Sequence, residues 1–229
     1  MLYGVDSYYI ILVMPALLFA LYAQSRVQGT FAKYSSLRNI RGYTGAQIAR
    51  EILDSYGLYD VAVEMIRGNL TDHYDPRKKV VRLSQSVYAG SSVAAVGVAA
   101  HETGHAIQHQ HSYAPLVIRS NLVPVANVGS QVAIPLAILG LIVGWAPLVN
   151  LGIILFTAVV AFQVITLPVE YNASRRALEI LEEKGFLSRE ELQPTKKVLN
   201  AAALTYVAAA AVGIANLLRL VFLANRRRD

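Results

Sequence analysis

The chain has no cysteine among its 229 residues. That excludes a disulfide framework and a thiolate metal site, so any metal it holds must be taken by histidine and carboxylate. Charge is also scarce: Asp, Glu, Lys and Arg make up 16% of the residues against 55% hydrophobic ones, a balance expected of a membrane protein rather than a water-soluble one. No charged residue lies between Arg119 and Glu170, and no Lys or Arg precedes the first apolar run. Methionine occurs only as Met1, Met14 and Met65, and no aspartate lies between Asp75 and Asp229. The net charge of +6 comes from basic residues beside apolar runs, where they mark topology and contact lipid headgroups; nucleic-acid binding is not expected.

The apolar runs set the organisation. Residues 8–24, YYIILVMPALLFALYAQ, carry no charge, and at about 1.5 Å per residue they cross most of the roughly 30 Å hydrocarbon layer once the flanks are counted. A cleaved leader would open on Lys or Arg and close on small residues. This one opens MLYGVDS and runs into LYAQSR, so it reads as an anchor, with Pro15 tolerated as a kink. Arg26, Lys33, Arg38, Arg41 and Arg50 follow it, which places the next segment in the cytoplasm and the amino terminus outside. Within that segment Thr44 reads as the N-cap of a short amphipathic helix that Gly57 ends. VAVEMI and KVVRLS, separated by the turn-rich GNLTDHYDPRK, predict a β-hairpin or meander. Two uncharged runs, roughly 123–145 and 147–167, joined at GWAP, predict a transmembrane hairpin. A charged helical stretch, 170–197, follows, punctuated by Gly185 and Pro194.

The resulting division is a transmembrane anchor over 1–24, a cytoplasmic α+β segment over 25–120, a transmembrane hairpin over 121–168, a cytoplasmic helical segment over 169–198, and an apolar helix with a basic tail over 199–229. The last run contains Arg219 and ends in Arg226, Arg227 and Arg228. As a full span it would leave that cluster outside, against the positive-inside rule; as an interfacial or re-entrant helix it would keep the cluster inside. The fold class expected is a mainly α, multi-pass integral membrane protein of the cell membrane. It has three to four transmembrane helices and a small α+β domain at the cytoplasmic face.

The chemistry concentrates in AAVGVAAHETGHAIQHQH, residues 94–111. His101-Glu102-Thr103-Gly104-His105 is H-E-x-x-H: on a 3.6-residue helix, positions i and i+4 share a face, so both imidazoles can reach one Zn²⁺, and Glu102 can act as general base on a water there. A catalytic zinc usually takes a third protein ligand. His111 sits where H-E-x-x-H-x-x-G-x-x-H would put it, but Gln108 replaces the turning glycine, and no methionine follows to form the Met-turn. His109 continues the row but lies about 6 Å further along the axis. Both read as solvated or supporting histidines. Glu170 is the favoured third ligand: the out-and-back path of the hairpin returns it toward the histidines, and an acid at a membrane boundary is costly unless paired or coordinated.

H-E-T-G-H, two apolar spans and then EYNASRRA, with LTDHYDPRKKVVRLS before the motif, resemble the YugP-type membrane zinc peptidases, relatives of the HtpX-like proteases, over roughly residues 24–220 of the chain. The resemblance implies a gluzincin site, with zinc held by His101, His105 and Glu170, Glu102 catalytic, and polypeptide substrates. One departure stands out. Such enzymes commonly carry Asp four residues after the ligand glutamate, supporting a metal-bound histidine, and this chain has Ser174. KVVRLS could take up a substrate strand or be an ordinary core strand. His73, Tyr171 and Arg175 are candidates to stabilise an oxyanion, and Asp72 and Asp75 read as turn residues.

The function expected is hydrolysis of membrane or membrane-proximal polypeptides at the cytoplasmic face. A protease cutting inside the bilayer with an aspartate ligand from a later span is excluded by the missing aspartates. The alternative is a membrane metal-binding or scaffold protein without turnover, for which Glu102 would be superfluous. The residues name neither a natural substrate nor a membrane-protein or homo-oligomeric partner.

Overall fold

Long uncharged runs leave their backbone groups no partner but each other, so they fold as helices. The computed structural model describes residues 6–226. Among the described residues, four helical stretches are long and apolar enough to cross a membrane. The first is Tyr9–Ser35, a π-helical turn over Tyr9–Val13 followed by α1, Met14–Ser35. The others are α5, Ala114–Val143; α6, Ala146–Glu183; and α7, Arg189–Asn225. The π-turn stands immediately before Pro15, where a missing N–H already disturbs the ladder, and the helix continues past it. The remaining elements are α2 (Gly45–Ser55), β1 (Ala62–Ile66), β2 (His73–Asp75), β3 (Val80–Ser84), α3 (Gln85–Tyr88) and α4 (Val93–Gln110).

Contacts divide the chain into two units. The first comprises the described residues up to Gln24, Val117–Pro168, and those from Leu204 onward. Its buried cluster is Ala133, Ala137, Phe156, Val159, Val160 and Leu220. Small residues set its helix spacing: a Cβ on Gly152 would stand 2.7 Å from the Ala133 carbonyl oxygen and from the Ala137 Cβ, so only glycine lets these backbones approach. Arg219 of α7 bonds Asp6 Oδ2 through Nε and Nη2 at 2.9 and 2.8 Å and lies over the Tyr9 ring. That pairing explains how an apolar helix carries an arginine. It also joins the start of the first span to the end of α7, as four full crossings require.

The second unit, Ser25–Leu116 and Val169–Ala203, has a denser aliphatic core. Ile48, Ile52, Leu53, Leu83, Ile107, Leu181 and Leu199 are almost fully buried in it. As the sequence suggests, Thr44 caps α2, forming a capping box with Gln47, and Gly57 follows its end with φ +71°. The sheet differs from the expectation. Its order is β1-β3-β2, with β1 parallel to β3 and β2 antiparallel to it. The two β-branched runs are therefore parallel neighbours, and the hairpin partner of β3 comes from the stretch read as a turn. Asp75 sets that hairpin by accepting from Arg77 N and Lys78 N.

Two prolines also behave differently from their usual reading as breaks. Pro168 and Pro194 both lie inside helices, so α6 runs unbroken from the apolar run into the charged stretch. The true interruption is at Gly185, with φ +63°.

Candidate functional site

Helix α4 begins at Ser92, whose side chain accepts from Ala95 N, and it is buried along most of its length. It passes close to α6 near Ala173. A Cβ on Gly104 would lie 2.9 Å from the Ala173 carbonyl oxygen, so the motif's glycine permits the approach that lets the His101 and His105 face meet Glu170.

His101 Nε2 lies 3.2 Å and His105 Nε2 3.5 Å from Glu170 Oε2. Ligand atoms of the three residues all fall within 4.8 Å of one another. Among the described residues they form the group able to hold a metal ion. Tetrahedral zinc with bonds of about 2.0–2.1 Å places its ligand atoms about 3.3 Å apart, and the two His–Glu spacings match that edge. The rings meet edge to face at 84°, each with Nε2 facing the carboxylate and Nδ1 engaged elsewhere. Ser174 Oγ is 3.0 Å from His101 Nδ1, and Gln108 Oε1 is 3.0 Å from His105 Nδ1. The donor set therefore fits zinc: two imidazole nitrogens and one carboxylate oxygen, converging and almost dry.

Glu102 is also buried. Burial pushes its carboxyl above the usual range, against the opposing pull of His101 and His105. For His105, burial works to lower the imidazole pKa, but the hydrogen bond and charge of Glu170 outweigh it and the net shift is upward. Protons held this way between imidazole and carboxylate are those a bound cation replaces.

The other histidines go elsewhere. His109 Nδ1 meets the Tyr74 hydroxyl at 2.9 Å, and Tyr74 is held neutral by burial and by Asp60 and Asp75, which push it up to about 12. His111 is the C-cap of α4 and is exposed. Of the oxyanion candidates, His73 is engaged with the Thr71 carbonyl, Arg175 pairs with Glu179, and Tyr171 is half exposed. β3 is paired with β1 over Val80–Ser84 and with β2 over Val80–Arg82, so KVVRLS supplies the central strand of the sheet.

Sequence reasoning missed two residues. Asp72, read as a turn residue, is half-buried and accepts from both Ser84 N, at 2.7 Å, and Ser84 Oγ, at 3.0 Å; burial raises its pKa in spite of those bonds. Gln108 is completely buried and bridges His105 to α6. Its sequence signal was position: a glutamine three residues after a candidate ligand histidine.

Over residues 9–225 the chain matches the family described as "Putative neutral zinc metallopeptidase". It is 52% identical over 221 residues to a Bacillus subtilis (strain 168) protein described as "Putative membrane protease YugP", covering 96% of this chain and 98% of that one. No solved structure matches it.

Proposed function

The chain belongs to the neutral zinc metallopeptidase family, and we propose that it is a multi-pass membrane endopeptidase of gluzincin type. In this reading His101, His105 and Glu170 hold the zinc and Glu102 is the catalytic base. The observation that carries it is the convergence of one carboxylate oxygen on two imidazole Nε2 atoms, at 3.2 and 3.5 Å, with Glu102 beside them on the same buried helix. Zinc, when bound there, supplies a Lewis acid that makes water nucleophilic near neutral pH.

Glu102 does the proton work. Its carboxylate accepts the proton released as water oxygen bonds to the scissile carbonyl carbon, then delivers it to the amide nitrogen as the C–N bond breaks. A base that must both take and return a proton works best with a pKa near the operating pH, and burial moves Glu102 in that direction. Substrates on this reading are membrane or membrane-proximal polypeptides, cut at the cytoplasmic face. The Lys and Arg residues that follow the first span support that orientation.

The test is casein or membrane-protein cleavage together with zinc content for wild type and Glu102→Gln. The variant should keep its zinc and lose about 10²–10⁴-fold in rate. Equal cleavage by the variant would refute the catalytic assignment. Zinc uptake without cleavage by wild type would favour the non-catalytic metal-binding alternative.

A further inference from the structure

The two histidines of the site are supported unequally. Ser174, which faces His101 Nδ1 at 3.0 Å, has a hydroxyl that can donate or accept, so it does not decide which ring nitrogen carries the proton. Gln108, facing His105, has no such freedom. Its Nε2 lies 2.8 Å from the Val169 carbonyl, which can only accept, and 2.9 Å from Asn172 Oδ1. That oxygen accepts in turn from Arg176 Nε at 2.8 Å, an arginine nitrogen that can only donate. With both ends of the chain fixed, Gln108 Nε2 donates and its Oε1 is left to accept. The proton facing it, 3.0 Å away, must therefore sit on His105 Nδ1. In the neutral imidazole, the form that binds a metal, that leaves the lone pair on His105 Nε2, the nitrogen facing Glu170.

The same amide holds two elements together. Val169 immediately precedes Glu170, so the bond from Gln108 to the Val169 carbonyl fixes α6 against α4 beside the third candidate ligand. Gln108 is completely buried, so no water competes for these bonds.

We propose that Gln108 is a positioning residue for the metal site: it selects the metal-competent tautomer of His105 and registers Glu170 against it. This rests on the zinc reading above. It makes Gln108, which has no counterpart among the motif's required residues, a determinant of metal affinity. Histidine ligands whose second nitrogen loses its partner typically weaken metal binding by about 10- to 100-fold.

The experiment is zinc affinity of the purified full-length protein in detergent, by competition with a chromogenic chelator, backed by the visible spectrum of the cobalt-substituted site. Gln108→Met keeps the volume and removes every hydrogen bond, and should bind zinc about 10- to 100-fold more weakly with an altered cobalt spectrum. A packing role alone would leave Gln108→Met at wild-type affinity, and that result overturns the proposal. If Gln108→Met does not accumulate as folded protein, the ring ¹⁵N shifts of neutral His105 in metal-free wild type decide: the proposal puts the proton on Nδ1, and a proton on Nε2 overturns it. Absence of zinc binding in wild type would instead defeat the zinc reading itself.

Discussion

The two units bury opposite things. In the unit that carries the candidate site, the residues nearest zero exposure include Ile48, Ile52, Leu53, Leu83 and Ile107. The unit built from the spans buries Ala133 and Ala137 at its centre and turns Ile11, Leu21, Val143 and Ile154 outward, each more than half exposed. Hydrophobic burial drives packing where the surroundings are water. Where they are lipid, large apolar residues gain nothing by turning inward, and small residues pack the helices instead. Glu170 lies two residues past Pro168 on α6, just after the chain passes from one unit to the other.

Substitutions can break or sharpen that contrast. The largest effect should come from Ile154→Asp. An outward isoleucine at 65% exposure would be an innocuous site in water, but a carboxylate near the centre of a span costs about 2.5–3.5 kcal/mol. Membrane insertion and unfolding in bicelles should both report the loss, and a neutral outcome would mean that α6 does not face lipid there.

Gly104→Ala should rank next. The added methyl meets the Ala173 carbonyl oxygen at 2.9 Å, so α4 and α6 must part, at a cost of about 1–3 kcal/mol. Because Glu170 lies on the displaced helix, zinc affinity should fall together with stability; a stability loss that leaves affinity untouched would separate the site from this packing.

Tyr59→Ser should be smallest. Tyr59, in the unit that carries the candidate site, is 76% exposed, and a change there should stay within about 0.5 kcal/mol. A large loss by thermal unfolding would place Tyr59 against something other than water.

The site was more legible in the sequence than the fold around it. H-E-x-x-H carries its geometry in its spacing, and the charge-free path from Arg119 to Glu170 implied a return to the same side. Strand direction was not legible, because β-branched composition marks a strand without giving its direction, and β1 and β3 proved parallel. Pro194 misled as a break, since one missing N–H is tolerated where packing holds the helix on both sides. The final helix was open to two readings. Its continuity to Asn225 and the Arg219–Asp6 pair favour the full span.

Support for the imidazoles was the least visible feature. A serine in place of the usual aspartate suggested a weakened arrangement. The stronger orienter, Gln108, comes from α4 itself and had been noticed only as the residue that spoils a longer zinc motif.

The central claim is that the third ligand comes from α6 and not from the histidine row. Zinc stoichiometry of purified wild type, Glu170→Ala and His111→Ala tests it directly. The account predicts one zinc per chain for wild type and for His111→Ala, and none retained by Glu170→Ala; zinc kept by Glu170→Ala and lost by His111→Ala would contradict it.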